Sequence, residues 1–254
     1  LNTLQQKLLA PAALDVKLKL ITDAVTEMVD ADFSRIWLIQ PGDRCDRCVH
    51  DEAPDEIHVC EHRDRCLHLM ASSGRYTHID GEAHRRVPFG CYKIGRIAAG
   101  DEAHFLTNEV TTDPRVHNHQ WAAEHGLVSF AGYQVQDTGG QCIGVLALFA
   151  KHLLSQEINE FLDSIAHLTS QVILLERTDQ ELRRSGETFR EIVESMPVGV
   201  AIIDKGKIVR QVNPAGLAMM GYDSAEQIVG YECHQTLCPA RKGKCPILDQ
   251  GREI

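Results

Sequence analysis

The composition of the chain is that of an acidic globular protein. Its 254 residues include 26 Lys and Arg against 36 Asp and Glu, which gives a formal net charge of −10, and 43% of the residues are hydrophobic. This length predicts one or two domains. The acidic balance argues against nucleic acid as a partner, because a nucleic-acid-binding surface needs Lys and Arg to neutralise phosphates.

The sequence shows neither a secretory signal nor a segment long enough to cross a membrane. It opens with the polar, helix-like stretch "LNTLQQKLL", and its longest apolar run is "CIGVLALFA". A bilayer span needs about 20 predominantly apolar residues. We therefore expect a cytoplasmic protein that makes no membrane contact through this segment.

The first half of the chain predicts two helices followed by a series of strands. A short N-terminal helix covers residues 1–11. The next helix has one apolar face, which is formed by Leu14, Leu18, Ile21, Val25 and Met28. The predicted strands are "DFSRIWLI", "LHLMASSG", "HFLTNEV", "SFAGYQVQ" and "CIGVLALFA". The residues "DTGG" between the last two strands predict a hairpin turn.

Two further helices are predicted from their start and stop signals. The segment "VPFGCYKIGRIAAG" leads into a short helix that stops at Gly100. The segment "DPRVHNHQWAAEHG" begins with Asp and Pro and ends at Gly126, which indicates a helix over this whole segment.

After Ser155 the apolar residues follow steps of four and three for about five heptads. The positions are Phe161, Ile165, Leu168, Val172, Leu175, Asp179, Leu182, Gly186, Phe189, Val193 and Met196. This seam predicts a coiled coil that joins two copies of the chain through residues 161–193. In the alternative interpretation the first half of the seam packs on its own domain, and only residues 172–193 form a connector.

The last quarter of the chain predicts a small mixed module. "MPVGVAIID" and "IVRQVN" are predicted strands with the turn "KGK" between them. "NPAGLAMMG" begins with Asn-Pro and closes with Gly, which indicates a short capped helix. "SAEQIVGYEC" predicts another short helix that ends at Gly230.

These elements resemble two known families. Residues 12–175 resemble a GAF domain in "DFSRIWLI", "GRIAAGDEAHFLTNEV", the hairpin "SFAGYQVQDTGGQCIGVLALFA" and the closing helix "LSQEINEFLDSIAHLTSQVILL". The stretch "FREIVESMPVGVAIIDKGKIVRQVNPAGLAMMGY" resembles the first part of a PAS domain. The predicted division is an N-terminal helix at 1–11, a GAF-like domain at 12–175 with a Cys/His-rich insertion at 43–66, a helical linker at 176–190, and a partial PAS-like domain at 191–254.

The resemblance implies an α+β fold, with an antiparallel sheet flanked by helices, a long connecting helix and a partial PAS-like α/β module. It implies the sensory input region of a bacterial signalling protein such as a histidine kinase, with the kinase or another output domain downstream. No catalytic module is expected in this chain. A PAS domain usually adds three more strands, so we expect the strands seen here to expose a sheet edge.

The insertion carries the strongest ligand signal in the sequence. Cys45, Cys48, Cys60 and Cys66 are the predicted metal ligands, with His50, His58, His62 and His68 as substitutes. Thiolates are soft donors for zinc or iron, and a C-x-x-C turn brings two sulfurs to one metal. The insertion has little apolar content, so a metal would replace a missing core. We expect structural zinc; an iron–sulfur cluster, a thiol redox pair and unliganded thiols are the alternatives.

A second group of cysteines lies near the end of the chain. It consists of Cys233, His234, Cys238 and Cys245 in "CHQTLCPARKGKCP". Its irregular spacing leaves two interpretations open, a second metal site and a loop without a ligand.

The GAF resemblance also implies a pocket between sheet and helices for a small ligand whose identity the sequence leaves unknown. The implied lining is Phe89, Tyr92, Arg96, Asn108, His117 and Trp121. Arg96 would anchor an anionic ligand. In the alternative, side chains fill the pocket.

Two functions compete with ligand sensing. Some GAF domains are methionine sulfoxide reductases, and here Cys91 would be the nucleophile with Cys142 as its resolving partner. The fold could also serve dimerisation alone. The prediction that we carry forward is a regulatory input region that relays through a dimeric helix.

Overall fold

An antiparallel sheet of six strands organises the first part of the molecule. The computed structural model describes residues 2–43, 60–80, 82–237 and 244. The strands are β1 (Phe33–Pro41), β2 (Arg65–Gly74), β3 (Arg86–Pro88), β4 (His104–Thr107), β5 (Ser129–Gln136) and β6 (Cys142–Ala150). Their order in the sheet is β3-β2-β1-β6-β5-β4. Five of them were predicted, and the three-residue β3 was not.

Helices cover both faces of this sheet. They are α1 (Asn2–Leu9), α2 (Leu14–Val29), α3 (Glu82–Arg85), α4 (Tyr92–Ala99), α5 (His119–Glu124) and the 40-residue α6 (Gln156–Ser195). The chain divides into two compact units, Leu1–Arg177 and Thr178–Ile254, so that α6 begins in the first and ends in the second. The arrangement confirms the predicted α+β class.

The alternation of side chains along each strand gives the sheet two different cores. On one face, Ile36 and Leu38 of β1 are buried together with residues of α2 and α6. On the other face, Phe33 and Trp37 of the same strand are buried together with residues of α4 and α5. Because successive side chains of a strand point to opposite faces, one strand serves both cores.

Two predicted helices differ from the observed ones in detail. Met28 is 53% exposed and Val29 is buried in its place, because a turn of 3.6 residues carries the apolar stripe from Val25 to the position four residues later. Helix α5 starts at His119 rather than at Asp113. The Asp113 carboxylate accepts a hydrogen bond from the Arg115 amide at 3.0 Å and so forms a local turn, while Asn118 caps the helix.

The predicted seam on α6 has two parts. Ile165, Leu168 and Val172 are buried in the core of the first unit, as the alternative interpretation expected for the first half of the seam. From Leu175 onward the large seam side chains Leu175, Leu182 and Phe189 are exposed. Val193, at the end of the predicted range 161–193, is buried again, so the exposed part of the seam is the stretch with Leu175, Leu182 and Phe189. Pairing of two chains through this stretch stays a prediction.

The second unit is built around a two-stranded antiparallel sheet. It contains β7 (Ala201–Ile203), β8 (Val209–Val212), α7 (Pro214–Met220), a 3₁₀ turn (Ala225–Gln227) and α8 (Cys233–Thr236). Helix α7 has the predicted limits, with Asn213 as its N-cap and Gly221 in the left-handed region at its end. The helix predicted over "SAEQIVGYEC" is wrong, because only the 3₁₀ turn and the first residue of α8 are helical there.

Candidate functional site

A row of aromatic side chains crosses the middle of the large sheet. Phe33 of β1 is paired with Phe149 of β6, and Phe149 is paired with Phe130 of β5. The ring centroids are 5.2 Å apart in the first pair and 4.9 Å apart in the second. Directly paired residues of antiparallel strands share a face, so these three rings form a continuous apolar floor.

Small residues beside this floor leave space above it. Ala147 is the cross-strand partner of Arg35 on one side and of Gly132 on the other. A Cβ atom at Gly132 would lie 2.6 Å from Ile97 Cδ1, so glycine allows α4 to approach the sheet here. Ala147 lines the space between sheet and helices, so a large side chain at this position would fill it.

The space is a cavity of about 320 Å³, which lies at the lower end of the range of small-ligand sites. Aromatic residues dominate its walls, and both tryptophans of the chain belong to them. The lining residues are Phe33, Arg35, Trp37, His84, Val87, Tyr92, Lys93, Ile94, Val116, His117, Asn118, Trp121, Phe130, Ala147 and Phe149.

The first of two cations in the cavity is Arg35. It is 5% exposed, and its guanidinium lies 5.1 Å from the ring centre of Phe33 and 5.2 Å from that of Tyr76. Its Nε donates a hydrogen bond to Ser72 Oγ at 3.2 Å. Burial lowers the pKa of Arg35 to about 10, so the side chain is still charged at neutral pH.

The second cation is Lys93, which comes from α4 on the opposite wall. Its Nζ lies 5.3 Å from the ring centres of both Phe130 and Phe149. Burial lowers the pKa of Lys93 to about 8, and the nearby Asp113 only partly offsets this effect. The Asp113 carboxylate itself is hydrogen-bonded to Arg115, and it does not line the cavity. Among the described lining residues there is no carboxylate.

The structure brings together half of the sequence-predicted pocket residues. Tyr92, His117 and Trp121 line the cavity, and the rings of Tyr92 and His117 are 4.8 Å apart. The other three lie elsewhere. The Phe89 ring contacts His62 and Arg65, Arg96 Nε donates to Asp101 at 2.9 Å, and Asn108 exchanges two hydrogen bonds with the backbone of Leu154.

Sequence reasoning missed the two cavity cations. The signal for Arg35 was present in "FSRIW", because residues 33, 35 and 37 share one face of a strand and two of them are large aromatics. A charged residue between two core aromatics on the same face indicates a polar site inside the core. Lys93 gave no comparable signal, since a lysine one residue inside a short helix is ordinary.

Part of the predicted metal site is also brought together. Ligand atoms of Cys66, His68 and Asp43 lie within 4.8 Å of one another. Asp43 was not predicted as a ligand. His68 Nε2 lies 3.0 Å from the Pro41 carbonyl, and burial, reinforced by Arg86, lowers the pKa of His68 and favours its neutral form. Arg86 donates to both carboxylate oxygens of Asp43 and holds the pKa of Asp43 at about 2.

The remaining predicted ligands of the insertion are separated from this cluster or fall outside the described residues. Cys60 and His62 are not members of the group of three. The Cys60 thiol contacts the His62 carbonyl at 3.5 Å. Cys45, Cys48, His50 and His58 lie outside the residues that the structure describes.

The second predicted cysteine group is described only in part. Cys233 is buried in the apolar core of the second unit, and the neighbouring His234 lies 3.3 Å from the Glu232 carboxylate. Cys238 and Cys245 lie outside the described residues.

The two isolated cysteines do not line the cavity. Cys91 is buried at the N-cap of α4, and Cys142 donates to the Gly144 carbonyl at 3.1 Å. Burial raises the pKa of Cys142 to about 11, which keeps it protonated at neutral pH. A thiolate is the nucleophilic form of cysteine, so this position is poorly suited to the chemistry of a reductase.

A curved antiparallel sheet with helices on both faces, and an aromatic cavity between the sheet and two short helices, define a GAF-like fold. The chain belongs to the GAF domain family, whose profile matches residues 13–173. A PAS domain profile matches residues 187–251. These two matches confirm the predicted families.

Solved structures support the GAF fold. The GAF domain of a Coxiella burnetii phosphoenolpyruvate-protein phosphotransferase superposes with a TM-score of 0.52 at 18% identity, and the match covers 71% of this chain and 94% of that one. The corresponding Acinetobacter domain gives 0.51 at 17% identity, with the same coverage. Free methionine-R-sulfoxide reductase from Neisseria meningitidis, solved with its substrate, gives 0.50 at 16% identity and covers 70% and 88%. At these identities the likeness concerns the fold alone.

No protein of curated function matches the chain. Within the described residues, no helix combines the length and the apolar character that a bilayer crossing requires.

Proposed function

We propose that this chain is the input region of a signalling protein, and that its GAF domain binds a small molecule in the cavity between the sheet and helices α4 and α5. The observation that carries this proposal is the cavity itself. It holds about 320 Å³ of space on the inner face of the sheet, where a core of this kind is normally close-packed. The small side chain of Ala147 in its lining helps to keep that space open.

Intrinsic fluorescence gives a direct test, because the only two tryptophans of the chain, Trp37 and Trp121, both line the cavity. A ligand in the cavity should change their emission. Ala147→Leu should abolish the response by filling the cavity, while Ala123→Leu on the exposed side of α5 should preserve it. Ligand binding that survives Ala147→Leu unchanged would refute the cavity as the site.

We further propose that α6 relays the bound state to an output domain, such as a downstream kinase, within a homodimer. Two features support this. Helix α6 is continuous from the ligand-binding unit into the PAS unit, and its exposed apolar residues Leu175, Leu182 and Phe189 repeat at seven-residue intervals. A seven-residue apolar repeat is the pattern through which two helices pair.

A metal site at the insertion is a second proposal, supported by the cluster of Cys66, His68 and Asp43. A thiolate, a neutral imidazole and a carboxylate are all zinc ligands. The fit is partial, because structural zinc takes four protein ligands and Arg86 already holds the Asp43 carboxylate. Cys45 and Cys48 remain the predicted partners that complete the set.

Metal analysis of the purified protein tests this second proposal and separates it from its alternatives. Zinc at one equivalent, lost in Cys66→Ser and retained in Cys142→Ser, supports the site. Visible absorption with bound iron would instead favour the iron–sulfur alternative. Protein that folds without either metal and with reduced thiols would overturn both.

A further inference from the structure

Neither cation of the cavity has a charged partner among the residues that the structure describes. Arg35 makes one hydrogen bond through Nε, and the described residues give its two terminal nitrogens no acceptor. Lys93 contacts aromatic rings and forms no ion pair with a described residue. Removing a cation from water is costly unless an anion or hydrogen-bond acceptors replace the water. The cavity therefore has positive charge that a bound anion would neutralise.

The two cations lie at the edges of the apolar floor that Phe33, Phe149 and Phe130 form. Arg35 lies beside Phe33 at one end of the aromatic row, and Lys93 lies over Phe130 and Phe149 at the other. Trp37, Tyr92 and Trp121 complete the walls. Aromatic side chains favour stacked or edge-to-face contacts with another ring. The site thus offers a planar apolar surface next to two cations.

Building on the proposed sensory function, we propose that the ligand is a small aromatic carboxylate. Its ring lies against the row of Phe33, Phe149 and Phe130, and its carboxylate accepts hydrogen bonds from the terminal nitrogens of Arg35. Lys93 supplies a second positive charge at the other end of the row. The planar guanidinium fork matches a carboxylate in geometry, and its aromatic neighbours restrict its orientation. His84 and His117 also face the cavity, as does Tyr92, and the charge of Asp113 acts on Lys93.

The test compares phenylacetate and 3-phenylpropionate with their neutral amides, and with hexanoate as an acid without a ring. Binding is measured at pH 7 by tryptophan fluorescence and by calorimetry. We expect each aromatic acid to bind at least 10-fold more tightly than its amide and than hexanoate. Arg35→Gln should weaken binding of the acid by roughly 10- to 100-fold, the usual value of a charged hydrogen bond, and leave binding of the amide unaffected. Lys93→Met, which removes the more remote charge, should weaken binding of the acid by a smaller factor and also leave binding of the amide unaffected.

The outcomes separate the ligand class from the cavity. If the amides or hexanoate bind as tightly as the aromatic acids, the proposal of an aromatic carboxylate ligand is overturned. If Ala147→Leu abolishes that binding, the cavity still stands as the ligand site. Acids that bind equally well to Ala147→Leu would overturn both. Failure of all probes to bind at millimolar concentration also overturns the aromatic carboxylate. Thermal unfolding checks that each variant folds. If Arg35→Gln does not fold, Lys93→Met still tests the proposal.

Discussion

Two polar side chains in the interior of this protein differ in how far their hydrogen-bonding and charge requirements are met. Asn213 is 1% exposed and uses its amide fully, donating to the carbonyls of Val193 and Val198 and accepting from the amides of Val200 and Gly216. Lys93, by contrast, contacts aromatic rings and forms no ion pair with any residue that the structure describes. A satisfied buried group stabilises a fold, whereas an unsatisfied charge marks a place where stability is lower than it could be.

Replacing Asn213 should destabilise the second unit strongly. Asn213→Ala removes the N-cap of α7 and leaves several buried backbone groups without partners, so we expect a loss of roughly 3 kcal/mol in the free energy of unfolding of that unit. The effect is measured by urea denaturation, with hydrogen exchange of residues 198–217 as the local probe. Asn213→Asp keeps the capping oxygen but loses the two donated bonds, and it should fall between the wild type and Asn213→Ala. Equal stability of all three would contradict this role.

Replacing Lys93 should have the opposite effect on the unliganded protein. The pKa of Lys93 falls from 10.5 in the unfolded chain to about 8 in the fold, so protonation favours the unfolded state. We expect Lys93→Met to raise the free energy of unfolding by roughly 1 kcal/mol at pH 7, after allowance for the partial exposure of the side chain.

The sign of this effect gives a pH signature. The penalty is complete below about pH 8, where Lys93 is charged in both states, and it disappears as the pH rises toward 10.5. The advantage of Lys93→Met in urea denaturation should therefore shrink between pH 7 and pH 10. His84, His117 and Tyr92 contribute to the pH dependence of the wild type and of Lys93→Met alike, so their contributions cancel in the difference. As a control, Lys7→Met on the exposed side of α1 should show no such trend. A constant difference across this range would argue against a buried charge.

The sequence predicted the cap at Asn213 but not the cations of the cavity. Asn-Pro before an apolar run marks the start of a helix, because Asn caps the first turn and Pro fits its first position. Such a signal involves neighbouring residues only, so it can be derived from the sequence. The cost of burying Arg35 and Lys93 depends on which residues surround them. Arg35 lies against residues of β1 and of the end of β2, and Lys93 lies over residues of β5 and β6, so in each case the surroundings include residues distant in the chain. Arg96 was predicted as the anchor, yet it lies on the side of α4 where Asp101 is its partner.

At the scale of elements, α6 performs two tasks with one apolar pattern. Its first half packs Ile165 and Val172 into the core of the GAF unit, and its later half presents apolar side chains to solvent. A spacing of four and three identifies an apolar face but not its partner, since a sheet and a second helix both accept it. This is why the sequence predicted the long helix correctly and left its partner undecided.

A charge in the exposed part of the seam should separate the proposed dimer. Leu182 is 71% exposed in the single chain, so Leu182→Glu should leave the fold intact while placing like charges against each other in a pair. Sedimentation velocity should show a dimer for the wild type and a monomer for Leu182→Glu. Arg184→Glu, on the outer side of the same helix, is the matched control and should remain a dimer. A monomeric wild type would refute pairing through α6.

At the scale of the whole molecule, the two units have separate cores of very different size. The GAF unit contains two large apolar clusters, one on each face of its sheet. Among the described residues, the core of the PAS unit consists of Val209, Val212, Ile228 and Cys233 with a few partly buried neighbours. Small cores confer little stability, so the two units should unfold in separate steps, with the PAS unit first.

Ligand binding then provides a test of the relay itself. A ligand at 100 times its dissociation constant stabilises the state that binds it by about 2.7 kcal/mol. Calorimetry with such a ligand should raise the unfolding temperature of the second, GAF transition. If α6 transmits the bound state, the first transition should move as well, because the stability of the PAS unit then depends on the state of a helix that both units share.

A matched variant distinguishes coupling from direct binding to the PAS unit. Ala147→Leu, which fills the cavity, should abolish both shifts if the second is transmitted through the chain, whereas a shift of the first transition that persists in this variant would reveal a separate ligand site. Movement of the GAF transition alone would show a ligand-binding domain whose helix carries no signal. In that case the continuity of α6 would be only a mechanical connection between two independently stable units.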